Sequence, residues 1–461
     1  MEGGQLILSV SGIRGIVGTD LTPGLVARLV HAWEQTLGPG ALVLGRDSRP
    51  SGRELHAVAR ASLLQAGRRV FDVDVVPTPT LGLAVRCLKA TAGLQITASH
   101  NPPQWNGLKM FTAQGRVVPP AESAPLLEHL RSVLAEVDSK PYGPPPWQAG
   151  RDDGRACVYC ASQVLEAHLQ AVLACVNGEA IRRRRFRVLV DGNGGAGGPL
   201  AVQLLDALGC RTTPIHCQAD GNFHHELEPS PSSLREIAPL VAQCGCDLGF
   251  ALDTDADRLV LLDETGHCLS EETTLALAVE ARLRQQPGPV VINLSTSLVV
   301  EELCHRRGYP CYRTAVGEAH VVDGLLAHGA VIGGEGNGGV IDPRIGLVRD
   351  PFIAMALVLE LLAELNQPVS ALVASLPKWS MRKEKIPKPR EPWSLLRERL
   401  LQGITAPQVD QRDGLYFRWP DRWLHVRPSN TEPIIRILAE SPSVGETEQL
   451  IQVARQILSP P

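Results

Sequence analysis

One pattern occurs three times along this chain and limits the folds that it can adopt. A short aliphatic run leads into a glycine- or serine-rich turn and a helical segment, a second run follows, and a third run opens into a polar loop. The first runs are ALVLG, FRVLV and PVVINL, and the third runs end in TASHNP, DTDADR and GEGNGG. Repeated strand, helix and strand signals of this kind predict α/β units with largely parallel sheets.

The three polar loops are expected to face a common centre. In open α/β sheets, ligands bind beyond the carboxyl ends of the strands, and each of these loops follows such an end. We therefore predict three similar α/β domains with mixed or parallel sheets, arranged around a central cleft. The last part of the chain, with alternating strands around GLYFRWP, WLHVRPS and IIRILAE, predicts a smaller C-terminal α+β domain.

Two stretches are typical of linkers and suggest where the domains end. Residues 141–150 are rich in proline, and residues 378–391 are basic. The expected domains are 1–147, 148–255, 256–375 and 376–461. The basic stretch also suggests that the fourth domain moves relative to the others.

The charge of the chain excludes some classes of partner. Of 461 residues, 45 are Lys or Arg and 49 are Asp or Glu, which gives a net charge of -4. No overall positive field attracts nucleic acid or an anionic membrane, so neither is an expected partner. The sequence has no basic leader and no run of about 18 apolar residues, so we expect a cytoplasmic protein.

The segment DTDADR is the strongest chemical feature. Asp253, Asp255 and Asp257 alternate directly after the apolar run LGFAL. On an extended loop this spacing can turn three carboxylates toward one hard divalent cation, and the cation relieves their mutual repulsion.

This segment has three other interpretations. An EF-hand would use Glu264 at its twelfth position, but Arg258 stands where that loop requires glycine, and the flanks predict strands. A phosphatase with Asp253 as nucleophile fits less well, because Asp257 occupies the fifth position of that motif. A solvated acidic turn is the remaining alternative.

The loop TASHNPPQWNGLK carries a candidate nucleophile. Ser99 emerges at a strand end, beside His100, and two prolines then stiffen the chain. A rigidly held hydroxyl suits nucleophilic or phosphoryl-carrier chemistry, and His100 and Lys109 are candidates for proton transfer. Taken alone, such a segment is more often a simple turn.

Two further loops suit a phosphorylated sugar. Glu335 and Asn337 lie on a glycine-flanked loop that leaves room for hydroxyl groups. The turn RPSNTEP offers a guanidinium fork with hydroxyl and amide donors, which suits a phosphate dianion; its candidates are Arg427, Ser429, Asn430 and Thr431. No GxGxxG or Walker lysine motif supports nucleotide binding.

Taken together, these motifs resemble the α-D-phosphohexomutase family. The resemblance extends over nearly the whole chain and includes SGIRG, GRDSRPSG, TASHNPPQWNGLK, DTDADR, GEGNGG and RPSNTEP, in the order of the family. It implies an isomerase that moves a phosphate between the 1- and 6-positions of a hexose through a bound hexose 1,6-bisphosphate.

The resemblance also implies a role for each site residue. Ser99 would be the phosphoserine, and a phosphoserine oxygen would hold Mg²⁺ together with Asp253, Asp255 and Asp257. Arg14, His100 and Lys109 would act as acid, base or charge-stabilising groups, with Lys109 as the general base. Arg258 would steady the intermediate, Glu335 and Asn337 would contact sugar hydroxyls, and the turn of Arg427, Ser429, Asn430 and Thr431 would hold the second phosphate.

The identity of the sugar is less constrained. An acidic residue after Gly317 resembles phosphoglucosamine mutases, which favours glucosamine phosphate over the phosphomannomutase and phosphoglucomutase alternatives. A non-catalytic sugar-phosphate sensor on the same frame is an alternative of another class. The expected partner is a small hexose phosphate, and the expected state is a monomer or homodimer.

Overall fold

The computed structural model describes residues 6–9, 12–135, 157–429 and 434–458. Within these ranges the chain forms four units, each built on its own β-sheet. The proline-rich linker expected at 141–150 lies outside the described residues.

The first unit has a mixed sheet of order β1-β2-β6-β5-β3-β4-β7. Its strands are β1 (Ile7–Ser9), β2 (Gly12–Ile16), β3 (Leu42–Arg46), β4 (Val70–Val75), β5 (Ala92–Ile96), β6 (Trp105–Thr112) and β7 (Cys157–Tyr159). Its helices are α1 (Pro23–Gln35), α2 (Gly52–Gln65), α3 (Thr78–Cys87) and α4 (Pro120–Ala135). Strands β5, β3, β4 and β7 are parallel, and β6, β2 and β1 continue the sheet in antiparallel pairs. The central strands β3 and β5 are almost entirely buried, as expected for parallel strands covered on both faces.

The second unit has a sheet of order β11-β10-β8-β9, parallel except for the hairpin of β10 and β11. Its helices are α5 (Ala161–Leu173), α6 (Gly178–Arg184), α7 (Gly198–Ala207) and α8 (Ala238–Gln243). Its strands are β8 (Arg187–Asp191), β9 (Arg211–Ile215), β10 (Leu248–Leu252) and β11 (Leu259–Leu262).

The third unit repeats this topology, with the order β13-β12-β14-β15 and an antiparallel last pair. Its strands are β12 (Val290–Asn293), β13 (Cys311–Thr314), β14 (Ile332–Glu335) and β15 (Gly339–Ile341). Its helices are α9 (Glu271–Gln285), α10 (Leu298–Arg306), α11 (Glu318–His328), α12 (Pro351–Leu365) and α13 (Val369–Ser375). One hydrophobic core joins the second and third units through α9 and α12.

The fourth unit has an antiparallel sheet of order β16-β20-β19-β18-β17. Its strands are β16 (Ser380–Pro387), β17 (Gln408–Asp410), β18 (Leu415–Trp419), β19 (Arg422–Pro428) and β20 (Ile434–Ser441). Its helices are α14 (Trp393–Gly403) and α15 (Val444–Leu458). Three α/β units and a smaller α+β unit confirm the predicted fold class.

The structure differs from the expected organisation at three points. The basic stretch at 378–391 is largely strand β16, which pairs with β20 along its whole length. Strand β11 belongs to the second sheet, so that sheet continues beyond residue 255. Strand β7 pairs with β4 and so belongs to the first sheet, although it follows residue 148. Turn and charge signals do not mark the pairings of β16 and β7, because the partners of these two strands are distant in sequence.

The parallel strands determine where the polar loops lie. Strands β5, β10 and β14 end just before TASHNP, at DTDADR and within GEGNGG, respectively. In the part of the chain that the structure describes, no single helix is long and apolar enough to cross a membrane. Helices α12 and α13 pass that test only as a pair bent by 88°, and α12 is buried in the core.

Candidate active site

Residues from all four units line a cavity of about 970 Å³. Of the residues expected from the sequence, the lining includes Arg14, His100, Lys109, Arg258, Glu335, Asn337, Arg427 and Ser429. Ser99 and the three aspartates are not part of this lining, but Ser99 and Asp257 contact it directly. The Ser99 Oγ lies 3.3 Å from His100 Nδ1. Asp257 Oδ2 accepts a hydrogen bond of 3.0 Å from Lys109 Nζ.

Ser99 occupies a turn directly after β5. Its φ of 52° lies in the left-handed region, which costs a non-glycine residue about 1–2 kcal/mol. Its N–H donates to Thr97 Oγ1 at 2.9 Å. Its carbonyl accepts from Arg49 Nη2 at 2.5 Å and from Thr254 Oγ1 at 2.6 Å. These bonds fix the backbone of Ser99 in the left-handed conformation.

Arg49 organises the loop that contains Ser99. The side chain is fully buried and pairs with Asp47, also buried, at 3.1 Å. Its guanidinium donates to four main-chain carbonyls of the loop, at Ser99, Asn101, Pro102 and Trp105. The sequence motif GRDSRPSG does not reveal this role of Arg49, because the role depends on contacts about fifty residues away along the chain.

The three aspartates form a compact cluster at the end of β10. Ala256, between two of them, has a φ of 50°, which bends the loop. One oxygen from each carboxylate lies within 4.8 Å of the others, and all three side chains are buried. Within the described part of the chain, each carboxylate also has one buried oxygen without a hydrogen-bond partner, namely Asp253 Oδ2, Asp255 Oδ1 and Asp257 Oδ1. Since buried carboxylate oxygens are expensive to leave unpaired, this donor set fits a hard divalent cation.

The electrostatics of the cluster are uneven. Burial, reinforced by Asp257 and Asp255, raises the pKa of Asp253 well above its usual range. Burial also opposes ionisation of Asp257, but Arg349 and Lys109 outweigh it and lower the pKa of that carboxyl. Burial and the two neighbouring carboxylates therefore disfavour the ionised form of Asp253, and a bound cation would favour it.

An EF-hand is excluded by the position of Glu264. Its carboxylate accepts hydrogen bonds from the backbone N–H and the hydroxyl of Ser370. It therefore caps a different segment, and the flanking elements of DTDADR are the strands β10 and β11, as the sequence predicts.

Lys109 and His100, the two candidates for proton transfer, have pKa values shifted in opposite directions. Burial disfavours the charge of Lys109, but Glu318 at 3.5 Å and Asp257 outweigh it and raise its pKa. The pKa of His100 is lowered well below its usual range by burial, by Arg258 and by Arg14. These contacts favour a charged lysine and a neutral histidine, whereas the family resemblance implies Lys109 as the general base.

Arg349 joins the aspartate cluster to the sugar loop, and sequence reasoning missed it. Its Nη2 donates to Asp257 Oδ2 at 2.5 Å, and its Nη1 donates to Glu335 Oε2 at 2.9 Å. The other oxygen of Glu335 accepts from Asn293 Nδ2 and from the Gly317 N–H, each at 2.9 Å. Glu335 is therefore held in a fixed orientation at the cavity. The sequence indicates Arg349 only through its position directly before Asp350, the residue that caps the N-terminus of α12.

The remaining expected residues of the first three units occupy the cavity wall. Arg14 donates to Asn101 Oδ1 at 2.7 Å, and burial lowers its pKa to about 10. Arg258 pairs with Glu228 at 2.8 Å. Asn337 accepts from the Gly339 N–H, which shapes the glycine-rich turn.

The fourth unit contributes cations to the cavity. Arg427 lies on β19 and donates to Asp413 at 3.0 Å, while the Ser429 N–H closes a turn with the carbonyl of Ile434. Lys383 on β16 also lines the cavity. Asn430 and Thr431, the other expected members of this turn, lie outside the described residues.

Comparison with known protein families gives a consistent result along the chain. The family models for phosphoglucomutase/phosphomannomutase alpha/beta/alpha domains I, II and III match residues 5–135, 166–266 and 270–379. The model for the C-terminal domain of the same family matches residues 385–456.

Individual proteins agree with this family. A protein of Methanopyrus kandleri named probable phosphoglucosamine mutase is 33% identical, over 95% of each chain. A phosphoglucomutase/phosphomannomutase of Thermococcus kodakarensis is 31% identical over 97% of each chain. A crystal structure of a phosphoglucomutase/phosphomannomutase family protein from Burkholderia thailandensis superposes with a TM-score of 0.82 at 25% identity, covering 98% of this chain and 96% of that one. The chain therefore belongs to the phosphoglucomutase/phosphomannomutase family, the α-D-phosphohexomutases, and is an isomerase that acts by intramolecular phosphoryl transfer.

Proposed function

We propose that this phosphohexomutase interconverts glucosamine 6-phosphate and glucosamine 1-phosphate through a phosphoserine at Ser99 and a bound 1,6-bisphosphate. The observation that carries the proposal is the direct contact between the Ser99 loop and the aspartate cluster, beside a cavity lined by all four units. A nucleophile and a metal-binding cluster held together in this way suit phosphoryl transfer.

The aspartate cluster is proposed to hold Mg²⁺ through the unpaired oxygens of Asp253, Asp255 and Asp257, together with a phosphoserine oxygen. Bound magnesium would neutralise charge on the transferring group. In the first transfer the bond from phosphorus to the Ser99 Oγ breaks as a bond from that phosphorus to a sugar hydroxyl oxygen forms. In the return transfer the bond from the other phosphorus to its sugar oxygen breaks as a bond to the Ser99 Oγ forms, and the released sugar oxygen takes up a proton.

The cationic side chains of the cavity and His100 are proposed to stabilise negative charge and to transfer protons. His100, whose lowered pKa favours the neutral ring, lies 3.3 Å from the Ser99 Oγ and is placed to accept the Ser99 hydroxyl proton when that oxygen attacks the intermediate in the return transfer. Lys109 starts charged in its ion pairs, so it serves as acid or charge stabiliser and can act as base only after losing its own proton. Arg14 and Arg258 stabilise the phosphoryl group and the intermediate.

Opposite ends of the substrate are proposed to meet different units. Glu335 and Asn337 contact sugar hydroxyls, and the fixed orientation of Glu335 supports that role. Arg427 and Ser429, with Asn430 and Thr431, hold the phosphate that is not reacting. Two phosphate positions are required because the bisphosphate intermediate must reorient between the transfers, so that its two phosphates exchange places.

The choice of glucosamine phosphate rests on two observations. The Methanopyrus kandleri relative is named as a phosphoglucosamine mutase. The carboxylate of Glu318 lines the cavity, and an acidic group suits a protonated amine. Mannose and glucose phosphates are the second candidates, because Glu318 already pairs with Lys109 and Arg349.

A coupled assay with glucosamine, mannose and glucose phosphates tests this proposal. We expect kcat/KM for glucosamine phosphate to exceed the other two by at least about tenfold, which is the discrimination of one well-placed polar contact. Ser99→Ala is the matched control and should bind sugar phosphate without turnover. A higher kcat/KM for mannose or glucose phosphate would reject glucosamine, and tight binding without turnover by the unaltered protein would indicate a sensor.

A further inference from the structure

The hydroxyl of Thr254 links the two halves of the proposed chemistry. Thr254 lies between two aspartates of the cluster and is fully buried. Its Oγ1 donates to the carbonyl of Ser99 at 2.6 Å, across 155 positions of sequence. The bond therefore runs directly from the loop that would bind the metal to the residue that would carry the phosphate.

The backbone of the aspartate loop is anchored without this hydroxyl. The carbonyl of Thr254 accepts from the Ala196 N–H at 2.9 Å. The next carbonyl, of Asp255, accepts from the Thr78 N–H at 2.8 Å, and Thr78 Oγ1 also donates to the Asp255 carboxylate. These backbone hydrogen bonds hold the aspartate loop in place. The Thr254 hydroxyl is therefore available for the bond to the Ser99 loop and is not required to anchor the aspartate loop.

The other donor to the Ser99 carbonyl has a wider role. Arg49 also donates to the carbonyls of Asn101, Pro102 and Trp105, so it shapes the whole loop. Among the residues that the structure describes, the Thr254 hydroxyl donates to the Ser99 carbonyl alone. Because Ser99 is held in the left-handed region, which a serine adopts only with support, a single bond at its carbonyl affects the direction of its Oγ.

We infer that Thr254 is a positioning residue for phosphoryl transfer, with its hydroxyl fixing Ser99 relative to the aspartate cluster. This inference rests on the proposed phosphoserine mechanism. Transfer rates depend steeply on the distance and alignment of the reacting atoms, whereas substrate affinity depends on the separate cavity residues. Loss of the hydroxyl therefore lowers kcat and leaves KM nearly unchanged.

The test compares Thr254→Val, which removes the hydroxyl at constant shape, with Thr254→Ser, which retains it. We expect Thr254→Val to lower kcat by about tenfold or more, because Ser99 loses its alignment with the aspartate cluster. KM should stay within about twofold of the value for the unaltered enzyme. Transfer of phosphate from hexose 1,6-bisphosphate to the dephosphorylated enzyme should slow by the same factor in a single turnover. Thr254→Ser should restore both rates to within about threefold of the original.

Thr80→Val provides a matched control for a buried threonine. The Thr80 hydroxyl contacts His168 at 2.8 Å and does not line the cavity, so its loss should lower the melting temperature without changing kcat. The melting temperatures of all variants show whether a loss of kcat arises from misplacement of Ser99 or from unfolding of the protein. Thr254→Ala, which removes the hydroxyl without adding a buried methyl contact, replaces the valine variant if that variant is unstable.

Two results would overturn the inference. One is a folded Thr254→Val or Thr254→Ala enzyme with kcat within twofold of the original, and the other is failure of Thr254→Ser to recover the rate. In either case phosphate on Ser99 of the unaltered enzyme leaves the proposed function standing. Absence of that phosphate after incubation with the bisphosphate removes both proposals together.

Discussion

At the scale of single residues, the site is defined by polar atoms that the fold leaves available. Each aspartate of DTDADR uses one oxygen for the protein and keeps one buried oxygen free. For Asp255 the engaged oxygen accepts from Thr78, and for Asp253 it accepts the N–H groups of Asp257 and Arg258. The engaged oxygens hold the carboxylates in place, and the free ones remain for a cation.

Asp255→Asn should weaken metal binding without unfolding the protein. The asparagine can keep the bond to Thr78, but its free group carries no charge, so Mn²⁺ or Mg²⁺ affinity should fall by about tenfold or more. Titration by calorimetry, or by electron paramagnetic resonance with Mn²⁺, measures this directly. Glu264→Gln, at a carboxylate that bonds Ser370, is the control and should bind metal normally. Equal affinities in both variants would contradict the assignment of Asp255.

At the scale of elements, the sequence predicted the strand ends well because they depend on local patterns. The runs before Ser99, Asp253 and Glu335 are aliphatic, short and bounded by polar residues, which is sufficient to identify buried parallel strands. Contacts that join different loops were not predictable in this way. Arg49, Thr254 and Arg349 owe their roles to neighbours that are distant in sequence.

Strand β16 shows why one element was misinterpreted. Its basic residues and the prolines near its end are typical of a linker, but β16 is the edge strand of the fourth sheet. Edge strands often carry lysines, which discourage pairing with other chains. Lys383 on this strand also donates to Glu271, Glu272 and the Gly336 carbonyl, so part of its charge serves a contact with the third unit.

Arg349→Gln should uncouple the aspartate cluster from the sugar loop. The arginine bonds both Asp257 and Glu335, so a cation at the cluster and a sugar at Glu335 are expected to favour each other's binding. In the unaltered protein, the Kd for sugar phosphate should fall several-fold when Mg²⁺ is added. The variant should lose most of this dependence.

Arg344→Gln is the control for this experiment. Arg344 pairs with Asp342 and does not line the cavity. It should retain the effect of Mg²⁺ on sugar-phosphate affinity. If Arg349→Gln retains it equally, Arg349 does not connect the two loops.

At the scale of the whole molecule, buried polar contacts join the units around the cavity. His168 on α5 lies between Thr80 on α3 and Asp350 at the start of α12, with both contacts at 2.8 Å. This arrangement resembles a hydrolytic triad, but its residues are buried and do not line the cavity. We interpret it as a structural connection among the first three units.

The fourth unit is docked on the third through both apolar and polar groups. Leu294 and Leu298 pack with Tyr416, Trp423 and Leu438 in one cluster. Glu440 accepts from Ser297 and from the N–H of Leu298 at 2.7 Å, at the start of α10. Any movement of the fourth unit relative to the third must therefore break this interface. The basic stretch at 378–391 does not provide such movement as a flexible linker, because most of it is strand β16.

Glu440→Ala should loosen this interface. Removal of the carboxylate leaves the Ser297 hydroxyl and the Leu298 N–H of the third unit without their partner, at a cost of about 2 kcal/mol, and also frees the Trp423 indole N–H within the fourth unit. We expect faster hydrogen exchange at Leu298 and a larger radius of gyration by small-angle X-ray scattering. Glu448→Ala, which breaks only a contact with Arg382 inside the fourth unit, should change neither. Unchanged exchange in both variants would mean that this contact does not hold the fourth unit.

The most direct test of the mechanism is to locate the phosphate on the protein. The protein is incubated with a hexose 1,6-bisphosphate and Mg²⁺, digested, and analysed by tandem mass spectrometry. The proposed function predicts one phosphate, on the peptide that contains Ser99 and on its hydroxyl. Phosphate on Asp253, or none on any residue, would contradict it.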